Sequence, residues 1–179
     1  MFAHPHPLHG GTLHNKVVFR AAKALTRAGY GVLRFNFRGV GLSDGRHDEG
    51  RGEVDDFRAA LDEAERRGGA PIVAGGFSFG SAVALRAIAS EPRVIAFIGV
   101  GTPLASPVAA SLPLPSVPTL FVAGSQDRIA PVELLRQWAR VGRIVEIPGA
   151  DHFYEGKLED LERAIADFLS ELPAAGASR

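Results

Sequence analysis

The chain has no cysteine, one methionine and one tryptophan among its 179 residues. Without cysteine, a disulfide framework and a cysteine nucleophile are both excluded. Net charge is missing too: 20 Lys plus Arg balance 20 Asp plus Glu. No basic excess draws the chain to a phosphate backbone, so nucleic acid is not an expected partner. No run approaches the roughly eighteen apolar residues of a membrane span. The start, Met1-Phe2-Ala3-His4-Pro5-His6-Pro7, has neither a cationic n-region nor an apolar h-region, so it does not read as a signal peptide. With no address, the expected location is the cytoplasm.

What is present is ordinary for a globular protein: 46% hydrophobic and 22% charged residues. The length suits one domain, expected over residues 1–172, with 173–179 as a flexible tail. Short apolar runs alternate with amphipathic stretches, the pattern of βαβ units. Strands are predicted at Gly31–Phe37, Pro71–Ala74, Arg93–Val100, Thr119–Ala123 and Arg143–Ile147. Helices are predicted at Val17–Ala28, about Glu53–Arg67, Ser78–Ser90, Pro131–Val141 and Leu158–Leu172. The expected fold is α/β: a mostly parallel, doubly wound sheet with helices on both faces. Residues 101–117, rich in Pro, Ala and Ser, read as loop.

Gly76-Phe77-Ser78-Phe79-Gly80 fits G-x-S-x-G, with an apolar strand before it and an apolar helix directly after it. That context implies a tight strand-to-helix turn with Ser78 at its tip, the placement of a nucleophile. The flanking glycines suit a turn in which a Cβ would crowd the neighbouring strand or helix. The bland reading is a Gly-Ser turn that only connects two elements; the flanking strand and helix favour the nucleophile. In doubly wound sheets, functional side chains gather at the carboxyl ends of strands. His152 follows the last strand and is the single histidine after Ser78, which makes it the candidate general base.

The acid is found by subtraction. No carboxylate occurs between Glu91 and Asp127; Glu133 lies within a helix, Glu146 on a strand, and Asp151 adjoins His152 in sequence. Asp127, after strand Thr119–Ala123, is therefore the expected partner of His152, against a simple turn or capping role. The order Ser, Asp, His is then that of an α/β-hydrolase triad. For the developing oxyanion, one donor is expected from the Phe79 N–H. The second is expected from the first loop, where Pro5 and Pro7 have no N–H; His6 comes first and Leu8 second. His4, His6, His9 and His14 also raise a metal site. A metal site would need a third ligand, usually with carboxylate support, and the prolines restrict the loop; local hydrogen bonding is expected instead, with no metal or cofactor.

Together these residues resemble the α/β-hydrolase superfamily. More narrowly, they are similar to small capless bacterial serine hydrolases carrying an HPHP…GG…N segment, here His4–Asn15, with Arg38-Gly39-Val40-Gly41 as the RGxG turn. The resemblance implies esterase-like activity and no cofactor. It also implies an N-terminal hairpin and a full strand before HPHP, where this sequence has Met1-Phe2-Ala3. A very short strand, completion by another chain or a truncated form would each account for that, and exposed sheet edges would invite homo-oligomers. The connection from Val100 to the next strand is too short for a helical cap. An open site is expected, lined by Phe77, Leu8, Leu104, Phe153 and Tyr154 and suited to small or medium carboxylic esters. A peptidase or amidase with the same triad, and a silent scaffold that only binds, are the alternatives.

Overall fold

The computed structural model describes residues 1–109, 111–140 and 142–172. The expected tail, 173–179, and the end of the predicted helix at Val141 lie outside the described residues. One sheet of parallel strands runs in the order β1 (Phe2–Ala3), β2 (Ile72–Phe77), β3 (Val94–Val100), β4 (Thr119–Gly124) and β5 (Arg143–Ile147). The helices are α1 (Lys16–Arg27), α2 (Gly52–Gly68), α3 (Phe79–Ala87), α4 (Val132–Trp138) and α5 (Leu158–Glu171).

Alternating strand residues divide the core in two. Ala74, Phe97, Phe121 and Ala123 pack with Phe57, Leu61 and Leu85 under α2 and α3. Val73, Ile98, Leu120 and Val122 pack with Val18, Leu25, Ile165 and Phe168 under α1 and α5. Both faces of the parallel sheet are covered, which is why the strands read as continuous apolar runs rather than alternating ones. Asn15 opens α1 by accepting the N–H of Val17 at 2.9 Å. Glu162 of α5 is held by Arg20, Lys23 and Arg27 of α1.

One predicted strand forms no ladder. Residues 31–37 run extended beside β1, joined to it by the Phe2 N–H to Leu33 O bond of 3.1 Å. β1 forms its ladder with β2, where Phe2 pairs with Gly75 and Ala3 with Gly76, and makes this one backbone bond to residues 31–37. The missing register is partly replaced by His4, which is fully buried. Its Nε2 accepts the Phe37 N–H at 3.0 Å, and its Nδ1 donates to Pro5 O at 2.7 Å. Those two bonds require the neutral ring and make His4 a structural pin. The chain leaves β1 toward residues 31–37 on one side and returns to β2 on the other. This reversal puts the switch point of the doubly wound sheet between β1 and β2, the place where such folds hold their sites at the carboxyl ends of the strands.

Candidate active site

Ser78 sits between β2 and α3 with φ 53° and ψ −122°, a conformation that L-residues adopt only when their surroundings impose it. A Cβ on Gly76 would stand 2.4 Å from the Gly80 carbonyl carbon, and one on Gly80 would stand 2.4 Å from His4 O. The first glycine lets α3 close on β2; the second lets α3 close on the chain after β1. The Ser78 N–H donates to Val100 O at 2.8 Å, and its carbonyl accepts Ser81 Oγ–H at 2.7 Å. The tip of the elbow is thus clamped by backbone while its hydroxyl stays available.

That hydroxyl lies 2.9 Å from His152 Nε2, and His152 Nδ1 lies 2.7 Å from Asp127 Oδ2. Asp127 Oδ1 accepts the N–H groups of Ile129 and Ala130 at 2.9 and 2.8 Å, so both of its oxygens are engaged. A doubly bonded carboxylate of this kind fixes the imidazole as the Nδ1–H tautomer, leaving Nε2 to accept from Ser78. All three side chains are buried. His152 packs on Phe77 at 5.0 Å between ring centroids. Gly101, at φ +54°, lies so close that a Cβ there would stand 3.1 Å from His152 Cε1.

Phe79 opens α3, so its N–H has no partner within the helix and is free to donate beside Ser78. The His6 ring lies 4.9 Å from the Phe79 ring, which brings the first loop to this side of the elbow. Of the expected lining residues, Leu8 and Phe153 are exposed, at 70% and 48%, and the Phe153 ring lies 5.4 Å from that of His152. Leu104 is partly buried against the α2–α3 core. Phe77 and Tyr154 are placed differently from the expectation: both are fully buried and offer a substrate no surface. Phe77 floors the imidazole, and the Tyr154 hydroxyl turns inward to donate to Val122 O at 2.9 Å. Burial pushes the Tyr154 phenol well above its ordinary pKa. No helical cap follows β3; among the described residues that connection holds one short 3₁₀ turn, Pro107–Ala109.

Three further groups were not singled out in the sequence. Gly101 abuts the imidazole, while His47 and buried Glu53 lie on the Phe79 side of the elbow. Glu53 reads in the sequence as an ordinary first-turn acid. The mark that could have drawn attention to it is its distance of six residues from His47, across a glycine-rich loop.

The family description "serine aminopeptidase, S33" matches residues 6–116, more than half the chain. The chain belongs to this family. Within the α/β serine hydrolases, its S33 match spans the first loop, the elbow and the strand after it. A serine hydrolase homologue from Coxiella burnetii is 40% identical, with a TM-score of 0.85 over 93% of this chain and 82% of that one. A serine hydrolase without lid from Xanthomonas campestris is 36% identical, with a TM-score of 0.88 over 97% of this chain and 82% of that one. An uncharacterized protein of Rickettsia prowazekii is 35% identical over 93% of this chain and 76% of its own length. The S33 chain therefore has the lidless α/β-hydrolase architecture. No helix among its described residues is long and apolar enough to cross a membrane.

Proposed function

We propose that this S33 member is a cytoplasmic carboxylesterase acting on small to medium carboxylic esters through an acyl-enzyme on Ser78. The observation that carries the reading is the buried chain from Ser78 Oγ through His152 to Asp127, at 2.9 and 2.7 Å. In the first step Ser78 Oγ attacks the ester carbonyl carbon while its proton passes to His152 Nε2. Asp127 holds the Nδ1–H and stabilises the imidazolium. The carbonyl oxygen takes the negative charge and is received by the N–H groups of Phe79 and His6, each worth about 3 kcal/mol in the transition state. The carbon–oxygen bond to the alcohol then breaks, and His152 returns the proton to the leaving oxygen. Water, deprotonated by the same imidazole, attacks the acyl-enzyme and releases the acid.

The exposed Leu8 and Phe153, with no helical cap after β3 among the described residues, support small to medium ester substrates. The family description favours one second reading, cleavage of amides or peptides with the same three residues. A fluorophosphonate probe and a substrate pair decide between these. Labelling should occur in the wild type and vanish in Ser78→Ala, with p-nitrophenyl butyrate hydrolysed far faster than the matching p-nitroanilide. Anilide hydrolysis at an equal rate would give the peptidase reading. A wild type that neither labels nor turns over would mean a binding scaffold.

A further inference from the structure

Ser78 lies between two phenylalanines whose rings carry imidazoles. Phe77 carries His152, while Phe79 carries His6 at 4.9 Å and His47 at 5.4 Å. The proposed reaction uses the first imidazole and leaves the side chains on the Phe79 side without a task. There, His6 stands 4.7 Å from His47 and stacks on His9 at 4.4 Å, with ring planes 22° apart. His6 Nδ1 accepts the Leu8 N–H at 3.3 Å, which leaves Nε2 as the donor edge. Behind them lies Glu53, fully buried, accepting the N–H of Asp48 at 2.9 Å and of Gly50 at 2.8 Å. His47 Nδ1 is 2.7 Å from Glu53 Oε1, yet finds no aligned hydrogen-bond partner among the described residues.

Of the other charged groups of this loop, exposed Asp44 and Arg46 make no ion pair among the described residues, and the rest are paired. Asp48 takes Arg51 and the Gly52 N–H, and Arg38 is held bidentately by Asp56. Beside the exposed Asp44 and Arg46, what remains is a cluster of imidazoles over a single fixed carboxylate, Glu53. Burial and the repulsion of His47 and His9 hold the His6 imidazole below its ordinary pKa, while Glu53 opposes them. A ligand carboxylate beside His6 would supply the countercharge that the exposed side of the cluster lacks, so anion and proton should bind together. One carboxylate suits this site better than a doubly charged phosphate, because Glu53 already contributes one negative charge behind it.

We propose that His6 and His9, backed by His47 and Glu53, form a carboxylate subsite beside the nucleophile, suited to half-esters of small dicarboxylic acids. The free carboxylate lies on the imidazoles while the ester carbonyl reaches Ser78. As a substrate assignment this rests on the esterase reading; as a binding site it stands alone, and two measurements separate them. In the first, monomethyl succinate is titrated into Ser78→Ala protein. Affinity should be about tenfold tighter at pH 5.5 than at pH 8, and the difference should shrink, with His6 still present to titrate, in the Ser78→Ala forms of His47→Gln and of exposed His9→Gln. In the second, wild-type kcat/KM for monomethyl succinate is divided by that for methyl butyrate, whose acyl chain has the same length. The ratio should rise about tenfold over the same pH range, through KM. His9→Gln should flatten it while leaving methyl butyrate turnover unchanged. No succinate binding, or binding and selectivity that ignore pH and both substitutions, overturns the subsite. Binding that behaves as described in a protein that hydrolyses neither ester overturns the esterase reading and keeps the subsite.

Discussion

Replacing Gly101 by alanine perturbs the candidate base without touching any of the three hydrogen-bonding residues. The new methyl would stand 3.1 Å from His152 Cε1 and 3.3 Å from both His152 Nδ1 and Phe77 Cε2, at a backbone φ of +54°. The left-handed backbone costs an alanine about 1 kcal/mol relative to glycine. Relief of the contacts requires the ring to retreat by a few tenths of an ångström, because Phe77 beneath it is fully buried and cannot yield. The imidazole is tied on both sides, at 2.7 Å to Asp127 and 2.9 Å to Ser78, so retreat lengthens at least one of those bonds. Misplacement of a catalytic group by about 1 Å costs on the order of 100-fold, which puts a shift of this size at roughly tenfold in kcat.

Urea denaturation and steady-state hydrolysis of p-nitrophenyl acetate measure the two consequences on the same preparation. Stability should fall by about 1–2 kcal/mol, while kcat drops about tenfold with KM within twofold. The folded fraction in buffer stays near one after such a loss, so the drop in kcat reports position rather than unfolding. A variant that loses the expected stability but keeps kcat within twofold would refute the claim that Gly101 sets the position of the imidazole.

Two other predictions test placements that the sequence alone did not give. Burial lowers the pKa of His4 and takes the Met1 amine from 8.0 to about 5. Between about pH 5 and 8 the unfolded chain therefore binds more protons than the folded one, and stability rises with pH across that window. The thermal midpoint should increase steadily from pH 5 to pH 8, and His4→Gln should flatten the part below pH 6.5; a midpoint flat over the window would contradict both burials. Tyr154→Phe should cost about 1 kcal/mol by removing one of the two hydrogen bonds to Val122 O, which keeps the Gly101 N–H at 2.9 Å, with KM for esters unchanged. A KM change of tenfold would return Tyr154 to the substrate wall.

Sequence reading went furthest where backbone chemistry leaves a local mark. The elbow needs glycine at 76 and 80 because the backbones of α3 and of the segment after β1 fill the space of a Cβ, and that need is written within five residues. Asp127 could be reached because the chain between β3 and β4 holds no carboxylate. Directions of side chains were less legible. Phe77 and Phe153 are both apolar residues near the triad, yet one floors the imidazole and the other faces solvent. Tyr154 follows His152 by two residues and has φ 56°, a turn that sends its ring inward. No periodicity marks such a reversal in a loop. The segment 31–37 has the composition of a strand, but one backbone bond, Phe2 N–H to Leu33 O, ties it to β1, whose ladder is formed with β2.

Strain at Ser78 and order around it belong to the same arrangement. Its N–H is held by Val100 O, and its carbonyl by the Ser81 hydroxyl and the N–H groups of Ser81 and Ala82. Ser81 is in turn fixed by Thr102 at 3.0 Å. A backbone fixed at both ends can keep a φ of 53° that costs of order 1–3 kcal/mol in isolation. The hydroxyl, the one polar group of Ser78 left outside that framework, is turned to His152. The strained torsion thus aims the Ser78 hydroxyl at His152, and the glycines at 76 and 80 let two layers of backbone close tightly enough to hold it.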